Sequence, residues 1–95
     1  MNYRLKFLPT ARKQWDKLDN SVKKPLHNKL RAALKNPHVP KNKLRNYKKL
    51  YKIKHRSSGY RLVYKVEDSV ITVTVITIGK RERGEVYKKL FFLEK

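Results

Sequence analysis

The chain has 95 residues and carries 26 Lys and Arg against seven Asp and Glu, for a net charge of +19. A chain of this length makes one domain, read as residues 1–95. It lacks the ~20-residue apolar run of a membrane span, and "MNYRLKF" is not an apolar secretory leader. With no cysteine, disulfides and thiolate metal sites are excluded, which suits a reducing, cytoplasmic location.

"NYRLKFL" alternates Tyr3, Leu5 and Phe7 with Arg4 and Lys6, the period of a strand, and Pro9 ends it. "TARKQWDKL" places Ala11, Trp15 and Leu18 on one stripe of a short helix. Asn20 or Ser21 is expected to cap a second helix with the stripe Val22, Leu26, Leu30, Ala33 and Leu34. Pro25 is expected in its first turn, and Pro37 and Pro40 close it. Residues 35–46 read as a basic loop without a period.

"YKIKHRSSGYRLVYKV", residues 51–66, reads as a hairpin. "RSSG" supplies the turn, with Gly59 able to take positive φ. A four-residue loop pairs His55 with Tyr60, and hence Lys54 with Arg61 and Lys52 with Val63. Residues opposite one another share a face, so Lys52, Lys54 and Arg61 project together while Tyr51, Ile53, Tyr60 and Leu62 face the helices. A tight turn at Glu67–Asp68 would pair Val66 with Ser69 and Arg61 with Thr74, and place Ile71, Val73 and Val75 on the core side. "SVITVTVITIG" is β-branched almost throughout, as a strand covered on both faces would be. Lys80, Arg81 and Arg83 are expected on the rim of the cationic face, with Tyr87 at the start of a last short helix. The fold class is α+β, β-α-α-β-β-β-(α), with a mainly antiparallel sheet and two helices on one face.

The charge is unevenly spread. Between Asp19 and Glu67 there is no acid, and that stretch holds fifteen Lys and Arg. Such self-repulsion opposes compaction and calls for a polyanionic partner, either nucleic acid or an acidic protein. Lys54 opposite Arg61 is a like-charge pair that a phosphate would relieve, and Arg61 can grip a phosphate with two parallel donors. His27, His38 and His55 show no metal-ligand spacing, no cofactor motif is present, and Ser57 and Ser58 read as turn residues. RNA carries its own nucleophile in the 2′-hydroxyl, so a basic, aromatic face could cleave it by orientation and charge stabilisation. A non-catalytic RNA-binding module would share these features.

"NKLRNYKKLYKIKHRSSGYRLVYKV", followed by "ITIGKRERGEVY", resembles the RelE family of toxins from bacterial toxin–antitoxin pairs. The resemblance implies a messenger-RNA endonuclease acting in the ribosomal A site by 2′-hydroxyl attack, without cofactor or metal. It implies Lys52 and Lys54 as transition-state stabilisers, Arg61 and Arg81 as phosphate ligands, and Tyr87 as a stacking group and candidate base. Lys43, Arg45, Lys48, Lys49, Arg56, Lys80 and Arg83 would bind RNA or ribosome. The implied partners are an acidic RelB-like antitoxin, the ribosome with its 16S ribosomal RNA, and operator DNA only through the antitoxin complex. Asn46 stands where relatives often carry glycine, and asparagine tolerates left-handed geometry. Phe91, Phe92 and Leu93 would dock on the sheet or on the partner.

Overall fold

The computed structural model describes residues 2–80. Arg81, Arg83, Tyr87, the expected terminal helix and the "FFLEK" tail lie outside the described residues. The order is β1 (Arg4–Phe7), α1 (Pro9–Asp16), α2 (Asn20–Lys35), a 3-10 turn (Pro40–Asn42), β2 (Leu50–His55), β3 (Tyr60–Glu67), a 3-10 turn (Asp68–Val70) and β4 (Thr72–Lys80). The sheet order is β1-β4-β3-β2, with β1 parallel to β4 and the other pairs antiparallel. No helix among the described residues is long and apolar enough to cross a membrane.

Both helices lie on one face of the sheet, as expected. Ala11, Trp15, Val22, Leu26, Leu30 and Ala33 meet Tyr51, Ile53, Leu62, Tyr64, Val66, Val73, Val75 and Ile78 in one buried cluster. Tyr51 stacks on Tyr64 at 5.6 Å between ring centroids. The stripe on α2 forms because residues three and four apart share a helix face. Asp19 caps that helix, correcting the assignment to Asn20 or Ser21: its carboxylate accepts from the Ser21 backbone N–H at 3.0 Å. These bonds from Ser21 hold the Asp19 carboxyl below its ordinary range. Pro25 is the sixth helical residue rather than a first-turn residue. Its missing N–H would have met Ser21, so the helix loses one bond near its start. Pro9 opens α1 as well as ending β1, since the first helical N–H needs no partner.

At each edge of the sheet one backbone group is met by a side chain. β1 pairs with β4 only as far as Val75. Beyond it the Ile78 N–H donates to Gln14 Oε1 of α1 at 3.0 Å. On the other side Lys29 Nζ of α2 donates to the Lys54 carbonyl at 2.5 Å. These two edge groups are thereby not open to another strand.

The β3–β4 connection departs from the tight turn expected at Glu67–Asp68. A 3-10 turn carries the chain on to Ile71, which takes φ 48° and ψ 52°. Val66 therefore pairs with Val73, not Ser69. The slip is even, so Val73 and Val75 keep their core face, but Ile71 leaves the strand and stands exposed. A bulge at Val63/Tyr64 then leaves Tyr64 opposite Val75 and Val63 opposite Thr77. Arg61 faces Gly79, not Thr74. The odd step flips the last part of β4. Ile78 enters the main core, whereas Ile76 joins Leu50 and Val63 in a second cluster on the opposite face.

The basic loop is more ordered than its sequence suggests. Asn36 is extended before Pro37, as a residue preceding proline prefers. The Tyr64 hydroxyl donates to the Pro37 carbonyl at 2.8 Å, and burial pushes that phenol's pKa up. His38 lies 2.8 Å from Asp68 through Nε2 and 3.2 Å from the Tyr51 hydroxyl through Nδ1. The Tyr3 hydroxyl donates to Asp68 at 2.7 Å. Four distant segments meet in this network. Leu44 N–H donates to the Leu50 carbonyl, and Asn46 takes φ 68° between them.

Two predictions follow from this backbone and network. Gly59 has φ 78° with open space where a Cβ would go. Gly59→Ala should therefore cost about 1–2 kcal/mol from conformation alone, while Ile71→Gly should raise stability by up to about 1 kcal/mol. Urea midpoints of the two variants check both signs. The Tyr3 and His38 hydrogen bonds hold the Asp68 carboxyl below its ordinary value. Its contribution is present above the unfolded value near 3.8 and is lost as pH falls through the lower folded value. Asp68→Asn should thus flatten the acid limb of a stability–pH curve below roughly pH 5.

Candidate active site

The face of the sheet away from the helices carries the cations. Alternation along β2 and β3 sends Lys52 and Lys54, and Arg61 and Lys65, to that side. The hairpin has the expected register: His55 pairs with Tyr60, Lys54 with Arg61 and Lys52 with Val63. On the parallel edge strand, Arg4 pairs with Thr72 and Lys6 with Thr74. Both are therefore added to the same face, which needed the β1–β4 pairing to be seen. Their alternation with Tyr3, Leu5 and Phe7 was the available signal.

Arg61 is the most confined of these cations. It lies on an inner strand and is 7% exposed. Opposite it on β4 stands Gly79, which has no side chain, and on β2 stands Lys54. Its Nη1 donates to the Tyr60 carbonyl at 3.0 Å. Among the described residues the ion pairs are Arg12–Asp16 and His38–Asp68, so no described carboxylate pairs with Arg61. Glu67, the acid on this face among the described residues, lies six residues along β3 at the opposite end and accepts from Thr74 Oγ1 at 3.2 Å. At ~3.3 Å per residue that is roughly 20 Å from Arg61. The hairpin end of the face is thus the anion-seeking end.

The middle of the face is apolar. Leu8, Leu44 and Tyr47 pack on Leu50, Val63 and Ile76. The loop that supplies Leu44 and Tyr47 presents Lys43, Arg45, Lys48 and Lys49, all exposed. Folding the loop onto the sheet carries these four to the border of the face. Arg56 is exposed at the tip of the hairpin. There His55 Nδ1 lies 2.6 Å from Ser58 Oγ, and Ser58 also bonds the His55 carbonyl and the Tyr60 N–H. Ser57 and Ser58 are turn residues, as expected.

Lys80 is a correction. It pairs with Tyr60 and lies over that ring at 5.7 Å, on the helix side of the sheet. The bulge causes this, because one extra residue in β4 reverses which side chains reach the cationic face. Arg81, Arg83 and Tyr87 lie outside the described residues.

A buried guanidinium without a carboxylate carries a desolvation cost. Arg61→Met fills the same space without charge and should raise the unfolding free energy by about 1 kcal/mol, read as a higher urea midpoint. A loss of stability would mean that Arg61 is structural.

Comparison with known proteins agrees with this geometry. Residues 5–84 match the family model described as the ParE toxin of type II toxin–antitoxin systems. The chain is 51% identical over 89 residues to the mRNA interferase toxin RelE of Escherichia coli K12, covering 94% of each. The isolated E. coli RelE toxin superposes with a TM-score of 0.83 at 48% identity, over 94% of this chain and 95% of that one. The toxin in the intact E. coli RelBE toxin–antitoxin complex gives 0.82 at 49% identity, over 85% and 99%. The chain belongs to the ParE/RelE family of toxins of type II toxin–antitoxin systems.

Proposed function

We propose that this chain is the toxin of a type II toxin–antitoxin pair and an endoribonuclease that cuts messenger RNA in the ribosomal A site. The observation that carries the reading is Arg61, a buried cation with no described carboxylate partner, set opposite Lys54 on a rigid ladder. The 51% identity to a messenger-RNA interferase supports it.

The chemistry uses the substrate's own nucleophile. The 2′-hydroxyl gives up its proton and its oxygen bonds to phosphorus. The bond from phosphorus to the 5′-oxygen breaks and that oxygen takes a proton, leaving a cyclic phosphate. Charge builds on the phosphoryl oxygens in the transition state. Lys52, Lys54 and Arg61 stand where fixed cations would offset it, and preorganised charge of this kind is a large catalytic term. Arg81 as phosphate ligand and acid, and Tyr87 as stacking group and base, rest on the family resemblance of "GKRERGEVY". No metal or cofactor enters the scheme.

The border of the face would anchor the protein to 16S ribosomal RNA. Lys43, Arg45, Lys48, Lys49 and Arg56 are exposed around it, and Arg83 joins them by resemblance. Lys80 would contact RNA from the helix side. An acidic, RelB-like antitoxin would cover the cationic surface, and operator DNA would be reached through that complex.

The test adds the full chain to translating ribosomes and maps message ends. Fragments ending in a cyclic phosphate are expected. Arg81→Ala and Tyr87→Phe should abolish them while co-sedimentation with ribosomes persists. If six to ten phosphates are neutralised, binding should fall ~10³–10⁵-fold between low and moderate salt. Ribosome binding without any cyclic-phosphate end would leave a non-catalytic module instead.

A further inference from the structure

The outer edge of β2 borders a second feature. Between α2, the 3-10 turn at Pro40–Asn42 and β2 lies an open cleft of about 640 Å³. Its cations come from three elements: Lys29 on α2, Lys41 on the turn and Arg56 at the hairpin tip. Asn36 and Asn42 add amides, and Val39 and Ile53 add apolar wall. No acid lines it. Lys54 borders it as well, so the cleft and the cationic face meet at one residue.

We infer that this cleft is a nucleotide subsite of the same RNA-binding surface, holding a nucleotide adjacent to the scissile phosphate. The inference rests on the proposed ribonuclease function and deepens it. A nucleotide presents three chemistries, and the cleft has one group of residues for each. Its phosphate meets Lys29, Lys41 and Arg56. Lys29 has three donors and spends one on the Lys54 carbonyl, leaving two. The edge of its base meets Asn36 and Asn42, whose amides offer both donors and an acceptor. Its ring meets Val39 and Ile53. The volume lies in the ~300–1,000 Å³ range of small-ligand pockets. A strand gripped at Arg61 and passing over the edge of the sheet would reach the cleft at Lys54. A peptide of acidic side chains would use the cations but leave the two amides without a role.

The test titrates the isotope-labelled full chain with a short RNA whose 2′-hydroxyls are methylated, so that it binds and is not cut. Amide shifts are read by nuclear magnetic resonance. The expected result is saturable shifts at Asn36, Lys41 and Asn42 together with those at Lys52 and Arg61. Asn42→Ala should weaken RNA binding about fivefold, the loss of one hydrogen bond, with the Arg61 shifts retained. Shifts confined to the cationic face would overturn the subsite and leave the ribonuclease reading standing. Shifts on neither would overturn the subsite, while the A-site reading stands or falls on the ribosome assay above. A cleft that answers poly-glutamate and not RNA would overturn the subsite in favour of a protein partner.

Discussion

The structure depends on the fixed register of the β2–β3 hairpin. Tyr51, Ile53, Leu62 and Tyr64 are buried against α2, each at 6% exposure or less. A one-residue slip would turn one strand's pair, Tyr51 with Ile53 or Leu62 with Tyr64, to the opposite face. At ~25 cal/mol per Å² of buried apolar surface, that loss opposes a slip that would separate Lys54 from Arg61. The core on one side therefore holds Lys54 against Arg61 on the other. Hydrophobic burial behind the sheet thus fixes the two cations opposite one another on the ladder.

This division of labour explains why the sheet is covered so unequally. The helix face is a continuous core. The other face has a small apolar floor at its centre, with cations toward the hairpin. Leu44 and Tyr47 fasten the basic loop to that floor, so its lysines stand on an anchored segment. The Tyr3–Asp68–His38–Tyr51 network does the same for the start of the loop. Among the described residues the carriers of positive charge lie mostly on the surface, Arg61 being the buried exception.

Local features were the most legible in the sequence. The hairpin register followed from the four-residue turn and strict alternation. The helix stripes followed from three- and four-residue spacing, whereas the turn at Asn46 followed from the family resemblance, in which relatives often carry glycine there. The β3–β4 connection was not legible for a physical reason. Val70 and Ile71 are β-branched and read as strand, yet Ile71 takes a left-handed conformation that its sequence disfavours. The bulge has no sequence mark either, and it alone reversed the side taken by Lys80. Asp19 was passed over because two other capping residues follow it directly. The Tyr3–Asp68 and His38–Asp68 contacts span 65 and 30 positions, beyond any local pattern. Of the expected catalytic set, Lys52, Lys54 and Arg61 fell where alternation put them.

The central claim is that Arg61 is held at the face to bind phosphate at the expense of stability, as functional groups often are. Single-turnover cleavage of message on programmed ribosomes by Arg61→Met, set beside the parent chain, tests it most directly. The account predicts a folded protein whose rate is lower by about 10²–10³, the usual effect of removing one transition-state donor. Cleavage at the parental rate would contradict it.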